Sequence, residues 1–205
     1  MKQSIQEVGF TLVELLIVIA LIGVLATALV ATLNPIEQVN KARDVRYRND
    51  AAELLAALER YYASTQAYPW VGTTYESEDE FGDTAESVDV GVCAGTACSE
   101  NGALITSGEL KPSFKNKEQF SATAAINKLY VYKESGSDGA VYVCFIPKAG
   151  TNRDPEANPN LRLWDVCTTG DTSGCTGFQA PATCTPDATT DWDDASSACF
   201  ICVPD

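Results

Sequence analysis

The sequence predicts an α+β chain, in which a long N-terminal helix is packed on an antiparallel β-sheet head with disulfide-stapled loops. Three observations carry this expectation. Residues 10–33 are an apolar run holding a single charge, Glu14. Residues 34–62 place apolar side chains at spacings of three and four, the helical period. Beyond them, short β-branched and aromatic runs alternate with Gly/Ser/Asp turns, and all eight cysteines lie in this part. The chain thus divides into a leader (1–9), an apolar helix (10–33), an amphipathic helix (34–62) and a β-rich head (63–205).

The leader Met1–Gly9 is polar and lacks the apolar core that an ordinary secretory signal carries ahead of its cut. Here the apolar run follows the small residue Gly9, so cleavage there leaves the hydrophobic helix on the product. The run from Phe10 to Leu33 exceeds the ~20 residues that span a hydrocarbon core about 30 Å thick. On hydropathy alone it would be an uncut single-span anchor. Glu14 argues otherwise. A carboxylate in the middle of a membrane helix costs about 2.5–3.5 kcal/mol, less near the end, and such a group calls for a partner. Removal of Gly9 would give Phe10 a free amine, a natural counter-charge for Glu14 on a neighbouring chain.

Gly9-Phe-Thr-Leu-Val-Glu-Leu-Leu-Ile-Val-Ile-Ala-Leu-Ile-Gly-Val-Leu-Ala resembles the N-terminus of type IV pilins and type II secretion pseudopilins. The resemblance implies that a prepilin peptidase/N-methyltransferase cuts after Gly9 and methylates Phe10, and that Glu14 supports docking into a helical fibre. It also implies further partners: copies of the chain, related pilin-like subunits and an inner-membrane assembly platform. The expected location is the inner membrane, as a single-pass precursor with its head outside the cytoplasm, and then a periplasmic or cell-surface fibre.

Asn34-Pro35 ends the apolar run, and proline tends to kink a helix. The periodicity then resumes through Val39, Tyr47, Ala51, Leu54, Leu55, Leu58, Tyr61 and Tyr62. Five acids (Glu37, Asp44, Asp50, Glu53, Glu59) and five bases (Lys41, Arg43, Arg46, Arg48, Arg60) take other positions and read as a solvated outer face. As one helix, Phe10–Tyr62 would be about 80 Å long, more than a small head can bury. Ala20, Gly23, Ala26 and Ala28 would let neighbouring helices approach closely. Tyr68-Pro69 reads as the helix exit, and together with Ala51–Tyr62 it resembles the helix end of major pseudopilins.

In the head, residues 71–100 hold eight acids and no base, and read as a long exposed loop. Lys128–Lys133 and Ala140–Ile146 read as a hairpin around Ser135-Gly-Ser-Asp-Gly139. Leu161–Cys167 and Cys199–Val203 read as a third and a fourth strand, the sheet lying across Leu54, Leu55, Leu58 and Tyr61. Cys93, Cys98, Cys144, Cys167, Cys175, Cys184, Cys199 and Cys202 are disulfide candidates in an exported chain, with connectivity open among 105 pairings. Cys199-x-x-Cys202 would point to opposite faces of a strand, so its two members are expected to bridge to different partners.

Function follows from what is present and what is missing. With 28 acids against 14 bases, a net charge of −14 and no histidine, the chain lacks the basic surface that grips nucleic acid and any imidazole chemistry. No nucleophile–base pair, phosphate loop or cofactor motif stands out, so an enzyme is not expected. Asp187, Asp191, Asp193 and Asp194 offer the hard oxygen donors that calcium takes, though their spacing does not fit an EF-hand. Solvated loop acids are the competing reading, and the pseudopilin resemblance adds weight to calcium as a cofactor. The leading expectation is a structural subunit of a type II secretion pseudopilus or a type IV pilus, polymerised through its N-terminal helix. The alternative is a monomeric, membrane-anchored, extracytoplasmic ligand-binding module.

Overall fold

The computed structural model describes residues 10–32, 34–70, 80–83, 90–94, 98–122, 124–133, 140–163, 182–184, 186, 190–193 and 198–204. The chain divides into two compact units, Met1–Val39 and Asn40–Asp205, taken in turn.

The first unit holds helix α1, Leu12–Thr32. Leucine, isoleucine, valine and alanine fill it on every side, so no face is set apart for a core. Its large apolar residues are all at least 47% exposed, which is the behaviour of a segment that lipid or another chain must cover. Leu12–Val30 is long and apolar enough to cross a membrane.

Helix α2, Pro35–Thr65, starts afresh after α1 instead of continuing it. Asn34 is its cap: the Glu37 N–H donates to Asn34 Oδ1 at 3.3 Å, and Pro35 takes the first helical position, where its missing N–H costs nothing. The proline expected to kink one helix therefore opens a second one. At the far end Gln66 adopts φ 56° and its N–H donates to Tyr62 O at 2.8 Å, turning the chain out before Tyr68-Pro69. Helix α2 ends at Thr65, three residues beyond the expected Tyr62.

In the second unit, Tyr47, Ala51, Leu54 and Leu58 of α2 are fully buried, and Leu55 and Ala57 flank them. Tyr61 is partly buried against the same core, whereas Val39 is 69% exposed and does not join it. Six strands form the main sheet: β1 (Glu80–Asp83), β4 (Tyr130–Lys133), β5 (Val141–Phe145), β6 (Arg162–Leu163), β7 (Ala182–Thr183) and β8 (Cys199–Val203). Their spatial order is β1-β4-β5-β8-β6-β7, antiparallel throughout. A separate two-stranded sheet pairs β2 (Cys93–Ala94) with β3 (Glu100–Asn101). Among the described residues, short helices α3 (Ala103–Thr106) and α4 (Gly150–Arg153) complete the regular elements, with 3-10 turns at Pro112–Asn116, Glu118–Phe120 and Ala125–Asn127.

Period-two alternation sorts the sheet's side chains into two cores. Val131, Val143, Phe145, Cys199 and Ile201 join the α2 stripe. Tyr130, Tyr132, Cys144, Phe200 and Cys202 fill a second core with Ile126 and Ile146. Each fully buried leucine or phenylalanine contributes about 1.5–3 kcal/mol relative to exposure, so these paired layers dominate the head's stability.

Two expectations need correction. The stretch 71–100 is not all loop, because Glu80–Asp83 forms an edge strand on β4 and Cys93–Ala94 pairs with β3. Within the expected strand Leu161–Cys167, Arg162–Leu163 is strand, and residues 164–167 lie outside the described ones, as does the turn at 135–139. The second correction concerns charge. Asp44 and Asp50 are buried on α2's packing side, not on a solvated face. Asp44 is 2% exposed and accepts the N–H groups of Lys148 and Ala149, each at 2.9 Å, Asn152 Nδ2 at 2.9 Å and Arg43 Nη1 at 3.1 Å. The Arg43 guanidinium donates to the carbonyls of Ile126 and Ile146 and lies 3.9 Å over the Tyr47 ring, while the Tyr47 hydroxyl donates to Asn127 O at 3.0 Å. Asp50 accepts from Gln119 Nε2 and Lys117 Nζ, both at 2.6 Å. Loop backbone and side-chain donors satisfy Asp44, and the side chains of Lys117 and Gln119 satisfy Asp50, so the sheet-side loops are locked to the helix in one register.

Candidate functional site

The chemistry singled out by the sequence begins at the first turn of α1. Gly9 lies outside the described residues, and Phe10 is 80% exposed at the helix entrance. Thr11 is the N-cap. Its Oγ1 accepts the Glu14 N–H at 3.2 Å, while Glu14 Oε2 accepts the Thr11 N–H at 3.0 Å and the Thr11 hydroxyl at 2.7 Å. This reciprocal pair is a capping box, which satisfies two of the helix's free donors and favours negative charge at the positive end of the dipole. Glu14 therefore has a partner inside its own chain. Thr11 was not among the candidate residues, although Thr-x-x-Glu ahead of an apolar run is a sequence-level sign of a helix start.

The rest of α1 offers surface, not reactive groups. Leu15, Leu16, Ile17, Val18 and Ile19 are exposed, and a side chain built at Gly23 would meet nothing within 4 Å. A long apolar rod with a flat spot at a glycine suits association with like helices or residence in lipid.

The cysteines form bridges that staple the head. Cys93 pairs with Cys98, Cys144 with Cys202, and Cys184 with Cys199. Cys199 and Cys202 thus face opposite sides of β8 and bridge to different partners, as period two requires. Cys167 and Cys175 lie outside the described residues. So do Asp187 and Asp194 of the candidate calcium set. Asp191 and Asp193 are exposed, and the Asp193 N–H donates to Asp191 Oδ1 at 3.0 Å, an ordinary Asx turn. Among the described residues no group of three or more acidic or cysteine side chains is placed to hold a metal ion.

Two tyrosines pack here, Tyr47 on α2 and Tyr68 just beyond its end. Burial raises the Tyr47 hydroxyl's pKa above the usual 10.0, opposed by the positive field of Arg43. Burial also raises that of Tyr68, helped by Tyr62 and Glu59. Tyr68 is stacked between Tyr62 and Trp70 at centroid distances of 4.6 and 4.7 Å. Tyr47 and Trp70 belong to the α2 core, and Tyr68 packs against it.

Compared with known proteins, residues 9–30 match the family model of the prokaryotic N-terminal methylation motif. No curated protein and no solved structure matches the chain. The match begins at the glycine before Phe10 and runs through the capping box and most of the exposed helix. On this sequence match and this architecture, the chain carries the N-methylation motif of the type IV pilin and type II secretion pseudopilin family, on an α+β, pilin-like fold.

Proposed function

We propose that this chain is a structural subunit of a type II secretion pseudopilus or a type IV pilus. In this reading the membrane-held precursor is cut after Gly9 by a prepilin peptidase and methylated at Phe10. It then passes through an inner-membrane assembly platform into a fibre built by side-by-side packing of its N-terminal helices. The observation that carries the reading is the union of the methylation motif at residues 9–30 with an apolar helix whose side chains are exposed all round. Within the subunit, α1 has no core to join. Lipid covers it before assembly, and other copies cover it afterwards.

Glu14 is the assembly residue. Its carboxylate sits at the helix mouth beside Thr11, just over one turn after Phe10, whose counterpart on a neighbour would carry the amine released by cleavage. Exchange of a local capping partner for an intersubunit ion pair lets one carboxylate serve both the precursor and the fibre. Glu14→Ala should leave membrane insertion and head folding intact and abolish fibres, as judged by electron microscopy of sheared surface fractions alongside the membrane-bound subunit. Undiminished fibres would refute the assembly role.

A further inference from the structure

Strand β8 is the only described strand that pairs with both halves of the main sheet. On one side Val143, Cys144 and Phe145 of β5 face Val203, Cys202 and Ile201; on the other, Arg162 and Leu163 of β6 face Phe200 and Cys199. Without β8 the sheet order falls into β1-β4-β5 and β6-β7. The same five residues also serve both cores, since Cys199 and Ile201 lie in the α2 core while Phe200 and Cys202 lie in the second. Phe200 meets Tyr130 edge-on at 5.1 Å.

A bridge fastens β8 on each side. Cys202 is joined to Cys144, its direct cross-strand partner on β5. Cys199 is joined to Cys184, which follows β7 and whose N–H donates to Leu161 O at 2.9 Å beside β6. All four sulfur-bearing residues are at most 3% exposed. Cys93–Cys98 differs in kind, because it closes a five-residue separation beside the two-stranded sheet, and both its residues are partly exposed. In chain order β8 comes after every strand it joins, so it is the last of them to be made and to emerge.

We propose that β8 is the closing strand of the head. The β5 and β6 edges stay open until it docks, and the two flanking disulfides make that docking permanent. Each bridge forms when two thiols give up two protons and two electrons to a disulfide oxidant. A thiolate attacks the oxidant, a mixed disulfide forms, and the second cysteine displaces the oxidant as a dithiol or thiol pair. Burial in the closed head requires the oxidant to reach Cys144, Cys184, Cys199 and Cys202 before packing is complete. The same burial then shields both bridges from reductant, while Cys93–Cys98 stays accessible. The device thus makes head closure depend on an oxidising environment reached by the latest strand. It concerns the head alone, so fibre membership and head closure can fail separately.

The test uses the full-length chain in detergent micelles, unfolded and reduced, then diluted into a glutathione redox buffer. At each time point free thiols are alkylated and mapped by mass spectrometry, and hydrogen exchange is read on Val141–Phe145 and Arg162–Leu163. Protection of both segments should rise on the order of 100-fold as the Cys144, Cys199 and Cys202 thiols disappear. Closure of Cys93–Cys98 alone should change it by less than about threefold. A C93A/C98A double variant should reach the same final protection. Native protection of β5 and β6 while Cys199 and Cys202 still take the alkylating reagent would overturn the proposal. So would loss of that protection in C93A/C98A.

Discussion

Replacing Asp44 by alanine tests whether the polar seam between α2 and the sheet-side loops is a stabilising lock. The substitution deprives the Lys148 and Ala149 N–H groups, Asn152 Nδ2 and Arg43 Nη1 of their shared acceptor. It also leaves the Arg43 guanidinium, with 10% of its side chain exposed, short of its carboxylate. Hydrogen bonds to a charged group contribute about 1.5–3 kcal/mol each, but they are not additive when they share one acceptor. Breaking a buried ion pair from one side costs about 3–5 kcal/mol, and that is the expected loss for Asp44→Ala. Asp44→Asn keeps one oxygen and turns an NH2 group toward the donors, so a loss of about 1–3 kcal/mol is expected. The reference is Arg46→Ala, whose partner is Glu118 and whose side chains are 59% and 52% exposed; it should cost no more than about 0.5 kcal/mol. Denaturant unfolding of the full chain in micelles, followed by the fluorescence of buried Trp70, ranks the three. An Asp44→Ala loss below about 1 kcal/mol, or one equal to that of Arg46→Ala, would refute the argument.

Other contacts in the head make further outcomes testable. Tyr47 and Tyr68 have pKa values raised above the ordinary 10.0, so their stabilisation is complete below that pH and is lost as pH climbs through the native values. Stability should therefore fall above about pH 10, and Tyr47→Phe should flatten the decline while costing about 0.5–1.5 kcal/mol at neutral pH for the lost bond to Asn127 O. A tyrosinate absorbance titration alongside unfolding checks both. Gly91 and Gly108 have φ of 87° and 84°, but a side chain at Gly91 would meet Pro69 Cγ at 2.6 Å and Leu104 Cγ at 2.9 Å, while Gly108 has nothing within 4 Å. Gly108→Ala should cost about 1–2 kcal/mol of backbone strain, and Gly91→Ala should cost that plus about 1–3 kcal/mol of overpacking. Equal losses in thermal unfolding would contradict the packing at Pro69.

Much of the architecture was legible because local signals and burial agreed. The apolar run specifies α1, and alternation in Lys128–Lys133, Ala140–Ile146 and Cys199–Val203 specifies β4, β5 and β8. The place of β8 between β5 and β6 was not legible, since sheet order depends on pairings between distant segments that leave no local mark. The burial of Asp44 and Asp50 was hidden for another reason. Periodicity assigns charged residues to the outside, and only the facing loops show that backbone N–H groups wait for Asp44 and the Gln119 and Lys117 side chains for Asp50. β1 was hidden because Glu80, Gly82 and Asp83 are poor strand formers. At the candidate site the motif was plain, but the capping bond between Thr11 and Glu14 was not, because an acid near the start of a membrane helix calls equally for a partner on another chain.

The central claim is processing for assembly, and the most direct measurement is the intact mass of the native protein from cells that possess the peptidase. The account predicts a chain that lacks Met1–Gly9, begins at Phe10 and carries one added methyl group at that amine. A full-length chain that retains Met1–Gly9 in such cells would contradict it.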